Sequence, residues 1–216
     1  MKEYCGSPEY KIWLIGDSNP DCYKKIDYPL DKKHPIRHNI WTSILDEMQD
    51  YIYRCCCKEG FYPKRLDTKK IYTRNAVENK SDRAVPSSLI WRKEGLNRKL
   101  DELSSLIKNY KPTIIITFGQ FPHEFTRRAC EKESNPVEYW TKERLGNEFK
   151  KSLKNFDIYN INVIPLLHYV IARGDFVGTG KKFIGDENIK CSYFEYVGER
   201  IGDLFYKYQE ELDIWI

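Results

Sequence analysis

Long apolar runs are missing from this sequence: the longest spans about six residues, far short of the roughly 20 that a membrane-crossing helix needs. No Cys-x-x-Cys pair occurs, although there are seven cysteines, at positions 5, 22, 55, 56, 57, 130 and 191. An odd number with three in a row is unlike a secreted disulfide framework, and it reads as free thiols in a reducing compartment. Zinc and iron–sulfur ligation have little support at this spacing, and neither a metal nor a cofactor is expected. Residues 1–11 are polar and hold Pro8, so no signal peptide is read there. No Pro/Gly/Ser-rich linker and no internal repeat divides the 216 residues, which fits one domain over 1–216. Strong charge of one sign is absent too: the formal net charge is +4, so the molecule as a whole is no polycation. Together these absences predict a soluble, cytoplasmic monomer that makes no membrane contact.

Aromatic residues are plentiful at 14%, 16 of them Tyr, which excludes a disordered chain. Ile12 to Gly16 is a short apolar run that stops at Asp17, Ser18, Asn19 and Pro20. A buried parallel strand ending in a polar loop reads in this way. Three further apolar stretches end similarly: Lys70 to Arg74 at Asn75, Thr113 to Phe118 ahead of Gln120 and His123, and Ile161 to Leu167 at His168. Pro165 interrupts the last of them, which predicts a short strand or one near an edge.

Between the strands lie helical patterns. Ile40, Ile44, Met48 and Ile52 recur at four-residue spacing over 39–54, and the same pattern turns at least one of Cys55, Cys56 and Cys57 toward the core. Leu100, Leu103, Leu106 and Ile107 give a helix over 96–110, stopped by Pro112. A helix starts near Pro122, 131–155 is charged and partly helical, and 173–190 reads as a Gly- and Lys-rich loop. The last helix, 193–211, would bury Phe194, Val197, Ile201, Leu204 and Tyr208. Alternating strands and helices predict an α/β fold: a three-layer sandwich with a central four-stranded parallel sheet and helices on both faces. The carboxyl edge of such a sheet is where ligands bind, and four polar strand ends suggest one shared pocket.

In order, the strand ends read Gly-Asp-Ser-Asn-Pro, Asn-Ala-Val, Phe-Gly-Gln and Leu-Leu-His. This series resembles the uracil-DNA glycosylase superfamily, whose small four-stranded parallel sheet carries a matching one. Asn19-Pro20 is similar to the Asn-Pro motif of its mismatch-specific uracil/thymine branch. The stretch from His34 to Trp41 resembles that branch's helix opening, Asn-Arg-Phe-Trp, with one residue more. Tyr72 to Val77 resembles the passage around the family's second-strand Asn, which reads the base edge. Tyr110-Lys111-Pro112 with Thr113 to Gly119 resembles a "helix, Lys-Pro, apolar strand, Gly" passage of several branches. Ile164 to His168 resembles the lead-in to the final motif, usually His-Pro-Ser. There are departures: Gly16 stands one residue further from Asn19 than usual, and Tyr169 to Arg173 replace the Pro-Ser of a loop that normally wedges the minor groove. The iron–sulfur branches' Cys ligands are not matched.

The resemblance implies a monofunctional DNA glycosylase that hydrolyses the N-glycosidic bond of uracil or another deaminated base, with single- or double-stranded DNA as partner and the base flipped out. Asn19 would position the water. Asp17 is the stronger base beside it, and its ordinary alternative is to cap the following turn. Asn75 has a carbonyl and an NH2 to match one edge of uracil, or it merely closes a strand-end turn. His168 would donate to a carbonyl oxygen of the leaving base. His123 is its rival. Tyr28 and Tyr23 are the candidates for stacking on the base, and Gln120 either contacts substrate or caps the next helix. Lys32, Lys33, Arg37, Arg173 and Lys181 would meet phosphates and make binding salt-sensitive, although Asp21, Asp27, Asp31 and Asp175 dilute the patch. Two other readings stand beside this one. The first is a non-catalytic relative that binds a modified base, nucleotide or nucleic acid. The second is a nucleotide- or cofactor-using α/β enzyme, weakened because residues 16–20 form neither a dinucleotide fingerprint nor a phosphate loop.

Overall fold

Four apolar stretches pair as parallel strands in the middle of the molecule. The computed structural model describes residues 2–19, 26–31, 33, 37–62, 64–168 and 176–216, without the side chains of 37–39 and 176–177. The strands are β1 (Tyr4–Cys5), β2 (Ile12–Gly16), β3 (Ile71–Asn75), β4 (Ile114–Phe118) and β5 (Asn162–Leu166). Their order across the sheet is β1-β3-β2-β4-β5, with every pairing parallel except β1 against β3. The sheet is therefore five-stranded and mixed, which corrects the expectation of four parallel strands. The added strand is two residues long, Tyr4 opposite Arg74 and Cys5 opposite Thr73, too short to leave a periodic signal.

β5 lies at the far edge, which explains Pro165. Asn162 N–H donates to Thr113 O and Leu166 O accepts from Gly119 N–H, so even positions of β5 face β4. Odd positions face outward, and Ser152 Oγ donates to Val163 O there. Pro165 shares that outward parity, so its missing N–H removes no ladder bond.

Helices cover both faces. A π-helical turn, Arg37–Thr42, leads into α1 (Ser43–Glu59). Then come α2 (Glu94–Tyr110), α3 (Gln120–Ala129), α4 (Lys142–Lys154), α5 (Phe176–Ile184), α6 (Tyr193–Lys207) and α7 (Gln209–Leu212). Alternation along the strands sorts the core into two layers. Ile12, Leu14, Ile114 and Ile116 pack with Ile44, Met48 and Ile52 of α1 and Val197, Ile201 and Phe205 of α6. Trp13, Ile15 and Ile115 pack on the other side with Leu103 and Ile107 of α2 and Phe121 and Phe125 of α3. Cys56 is the buried member of the cysteine triplet, and Cys57 is exposed.

Two further expectations change. Residues 176–184 are helical rather than a loop, because Phe183 and Ile184 are buried in the first core layer and pull the segment into regular structure. The last helix breaks at Tyr208, between α6 and α7. Among the described residues no helix is long and apolar enough to cross a membrane.

Candidate functional site

The parallel strands, numbered by their order in the chain, lie 2-1-3-4 across the sheet, so successive connections diverge between β2 and β4. The crevice above such a switch point, at the carboxyl ends of the strands, is the natural ligand site of an open α/β sheet. Asp17, Asn19 and Gly119 leave the sheet there.

The loops after β2 and β3 are zipped together by backbone bonds beyond the strands: Ala76 N–H to Gly16 O (2.9 Å), Val77 N–H to Asp17 O (3.2 Å) and Asn19 N–H to Glu78 O (2.9 Å). This register sets the side chains of Asn19 and Asn75 face to face, with Asn75 Nδ2 donating to Asn19 Oδ1 at 2.7 Å. Gly16 is needed for that contact: a Cβ on it would stand 2.3 Å from Asn75 Oδ1. Asn19 Oδ1 keeps a second lone pair and its Nδ2 two hydrogens, so the pair still has capacity for a ligand. Behind it, Glu3, Arg74 and Lys99 close a space of about 10 Å³, room for one water at most.

Asp17 turns toward the loop that follows β3 and meets Arg83, Oδ2 to Nη2 at 2.9 Å. Its Oδ1 is buried and has no hydrogen-bond partner among the described residues. His168 follows β5 and packs on Gly119, whose φ of +98° suits glycine and where a Cβ would stand 2.8 Å from His168 Cβ. Burial lowers the His168 pKa; the Asp17 carboxylate works against that and the Arg83 guanidinium adds to it. The ring is therefore neutral at neutral pH and within electrostatic reach of both charges.

Asn19, Asn75, Asp17 and His168 thus gather at one edge of the sheet, and Arg83 joins them. Arg83 was not singled out by sequence reasoning; the signal available was an arginine in the polar loop leaving a strand's carboxyl end. The charged cluster beneath Asn75 was also missed. There the buried Arg74 meets Glu102 at 3.1 Å, and Lys99 bridges Glu3, Glu78 and Glu102. Burial opposes the Lys99 charge, but hydrogen bonds to Glu3 and Glu78 outweigh it and raise the pKa.

Other predicted residues lie elsewhere. His123 is wholly enclosed, its Nδ1 3.2 Å from Thr117 Oγ1 and its ring edge-on to Trp140, so it has no open path to a ligand. Burial drives its pKa well below the ordinary imidazole value. Gln120 neither caps α3 nor leaves its Nε2 free, since Nε2 donates to Trp140 O at 2.6 Å. Tyr28 is half-buried in a turn closed by Asp31 N–H to Tyr28 O. Lys33 pairs with Asp27 at 3.3 Å, and Lys181 lies in the last turn of α5. Tyr23, Lys32 and Arg173, and the side chain of Arg37, lie outside the described residues.

No family model matches this chain. The arrangement itself offers an amide oxygen to accept from a water, a neutral imidazole, and a carboxylate with one oxygen enclosed and the other held by a guanidinium. Among the described residues, no group of three or more His, Cys, Asp or Glu side chains is placed to hold a metal.

Proposed function

We propose that this protein is a monofunctional base-excising glycosylase of the uracil-DNA glycosylase kind, acting in the cytoplasm as a monomer on DNA that carries uracil or another deaminated base. The observation that supports the reading is that two clusters, Asn19 with Asn75 and Asp17 with Arg83 and His168, both lie at the carboxyl ends of the parallel strands.

The reaction needs a base outside the stack, because its sugar bond is unreachable in a duplex. Water then adds to the anomeric carbon as the bond from that carbon to the base nitrogen breaks, and the electron pair leaves with the base. Asn19 Oδ1 holds the water, and the Asp17 carboxylate, two residues along the chain, is the group we assign as the base that takes its proton. Asn75 reads the base edge. His168, neutral because it is buried, donates an N–H to a carbonyl oxygen of the departing base as charge builds there.

The test is a panel of oligonucleotides, each with one deaminated base, incubated with the protein and then treated with alkali. Scission is expected on at least one, and Asn19→Ala should lower its rate by about 10²-fold or more with the fold intact. No scission on any base overturns the reading. A second reading, a non-catalytic binder of a modified base or nucleotide, has one observation in its favour: Asn75 Nδ2 is already held by Asn19. Tight, salt-dependent binding without turnover would select it.

A further inference from the structure

Between α4 and α6 four cations line a cavity of about 620 Å³: Lys150 and Lys154 of α4, and Arg200 and Lys207 of α6. None of the four has an ion-pair partner among the described residues. The carboxylates of α6 on the same rim are engaged from α1: Glu199 accepts from Arg54 Nη2, and Asp203 accepts from the Tyr51 hydroxyl at 2.8 Å. Spacing sorts these charges. Glu195, Glu199 and Asp203 recur every fourth residue as one stripe of the helix, and Arg200 and Lys207, about two turns apart, belong to the next. A cavity that gathers cations while the neighbouring carboxylates are held from the other side attracts an anion.

Two of the cations are fixed in place. Arg200 Nη1 donates to Tyr196 O at 3.1 Å, and its guanidinium lies 3.5 Å over the centre of the Tyr196 ring. Lys207 Nζ lies 5.1 Å over the centre of the Tyr208 ring. Groups held in this way lose little freedom on binding, and the guanidinium keeps N–H donors for phosphate oxygens. The cavity also has an apolar lining, Leu153, Leu204, Phe156 and Tyr208, the two rings 5.0 Å apart. Its volume is that of a small-molecule site.

The cavity is remote from the strand-end site. α6 begins at the carboxyl end of β5, where Tyr193 Oη accepts from Leu167 N–H at 2.9 Å. The chain beyond α6 reaches the approach to β3, where Ile214 O accepts from Asp67 N–H at 2.6 Å. Lys207 closes the 15-residue helix that Tyr193 opens, about 20 Å away at about 1.5 Å per residue.

We infer that this cavity binds a compact polyphosphate, free or as the tail of a nucleoside. The phosphates meet Lys154, Arg200 and Lys207, and the base of a nucleoside lies against Phe156 and Tyr208. The inference does not depend on excision at the strand ends.

The experiment titrates ATP and, separately, inorganic tripolyphosphate into the full chain by calorimetry. Two variants accompany it, Lys154→Ser combined with Lys207→Ser, and Arg200→Gln alone. All three positions are exposed, and circular dichroism checks that each variant is folded. At least one probe should bind saturably, with an affinity about 10-fold or more weaker in both variants and unchanged in Asn19→Ala. Tighter binding of ATP than of tripolyphosphate places the base on the rings; equal affinities make the polyphosphate the whole ligand. No saturable binding of either probe up to about 1 mM, or binding that either variant keeps, overturns the inference. A single-stranded oligonucleotide serves as competitor. If it displaces the probes at equal phosphate concentration and is itself lost in the same variants, the surface belongs to nucleic acid and the inference fails. No base is cleaved in these measurements, so their failure leaves the glycosylase reading standing.

Discussion

Arg83 binds three parts of the site in one charge balance. It neutralises Asp17, its guanidinium lies 5.3 Å over the centre of the Phe121 ring, and its charge discourages protonation of His168. Arg83→Gln should therefore raise the His168 pKa toward its ordinary value but not past it, since burial, the largest cause of the lowering, remains and only the Arg83 charge that opposes the Asp17 carboxylate is removed. An NMR titration of the His168 ring protons reads this; an unchanged or lower midpoint contradicts the grouping. The same variant should cost about 1 kcal/mol in stability, a small figure because Arg83 is a third exposed and solvent screens the pair. At this scale Asn19, Asn75, Asp17 and His168 were legible because each follows an apolar run, and a run's end is a local signal. Arg83 was not: its role arises only when the 76–91 loop folds back along Asp17. His123 misled for the converse reason. It also follows an apolar strand, but one helical turn into α3 its side chain points inward to Thr117.

The elements are held in register by polar contacts that periodicity does not reveal. Glu124 of α3 is fully buried, yet it accepts from Arg128 Nε at 2.7 Å, Trp140 Nε1 at 2.7 Å and Asn135 N–H at 2.8 Å. One carboxylate thus pins α3 to the 131–141 segment. Glu124→Ala should cost about 3–5 kcal/mol, because it strands a buried guanidinium and an indole N–H. Urea unfolding measures it, and a loss under about 1 kcal/mol would mean that water replaces the carboxylate without penalty. Helices with an evident apolar stripe, α1, α2 and α6, were legible from spacing. α5 was not, since its glycines and lysines read as loop and only the burial of Phe183 and Ile184 makes it a helix. β1 escaped for want of length.

For the molecule as a whole, two buried histidines set the acid limit. The pKa of His123 is lowered by burial, then by Arg127 and Lys132, and that of His168 by burial first of all. The unfolded chain binds their protons near pH 6.5, the fold only below it. In that window the unfolded state holds more protons, so stability is complete above about pH 6.5 and is lost as pH falls through the folded-state values. Carboxylates held low, such as Glu3 hydrogen-bonded to Lys99, add their loss only below 4.5. The urea midpoint should therefore be lower at pH 5 than at pH 7.5, and His123→Asn should flatten the difference. A midpoint level or rising toward pH 5 contradicts this assignment.

By itself the sequence determined the α/β class, the parallel core strands and the polar strand ends, because hydrophobic periodicity and chain-breaking residues act over a few positions. Tertiary structure alone decided the fifth strand, the helix at 176–184, the burial of His123 and the pairing of Asp17 with Arg83. Those depend on which distant segments meet, and contact across the sheet is set by packing rather than by any local pattern.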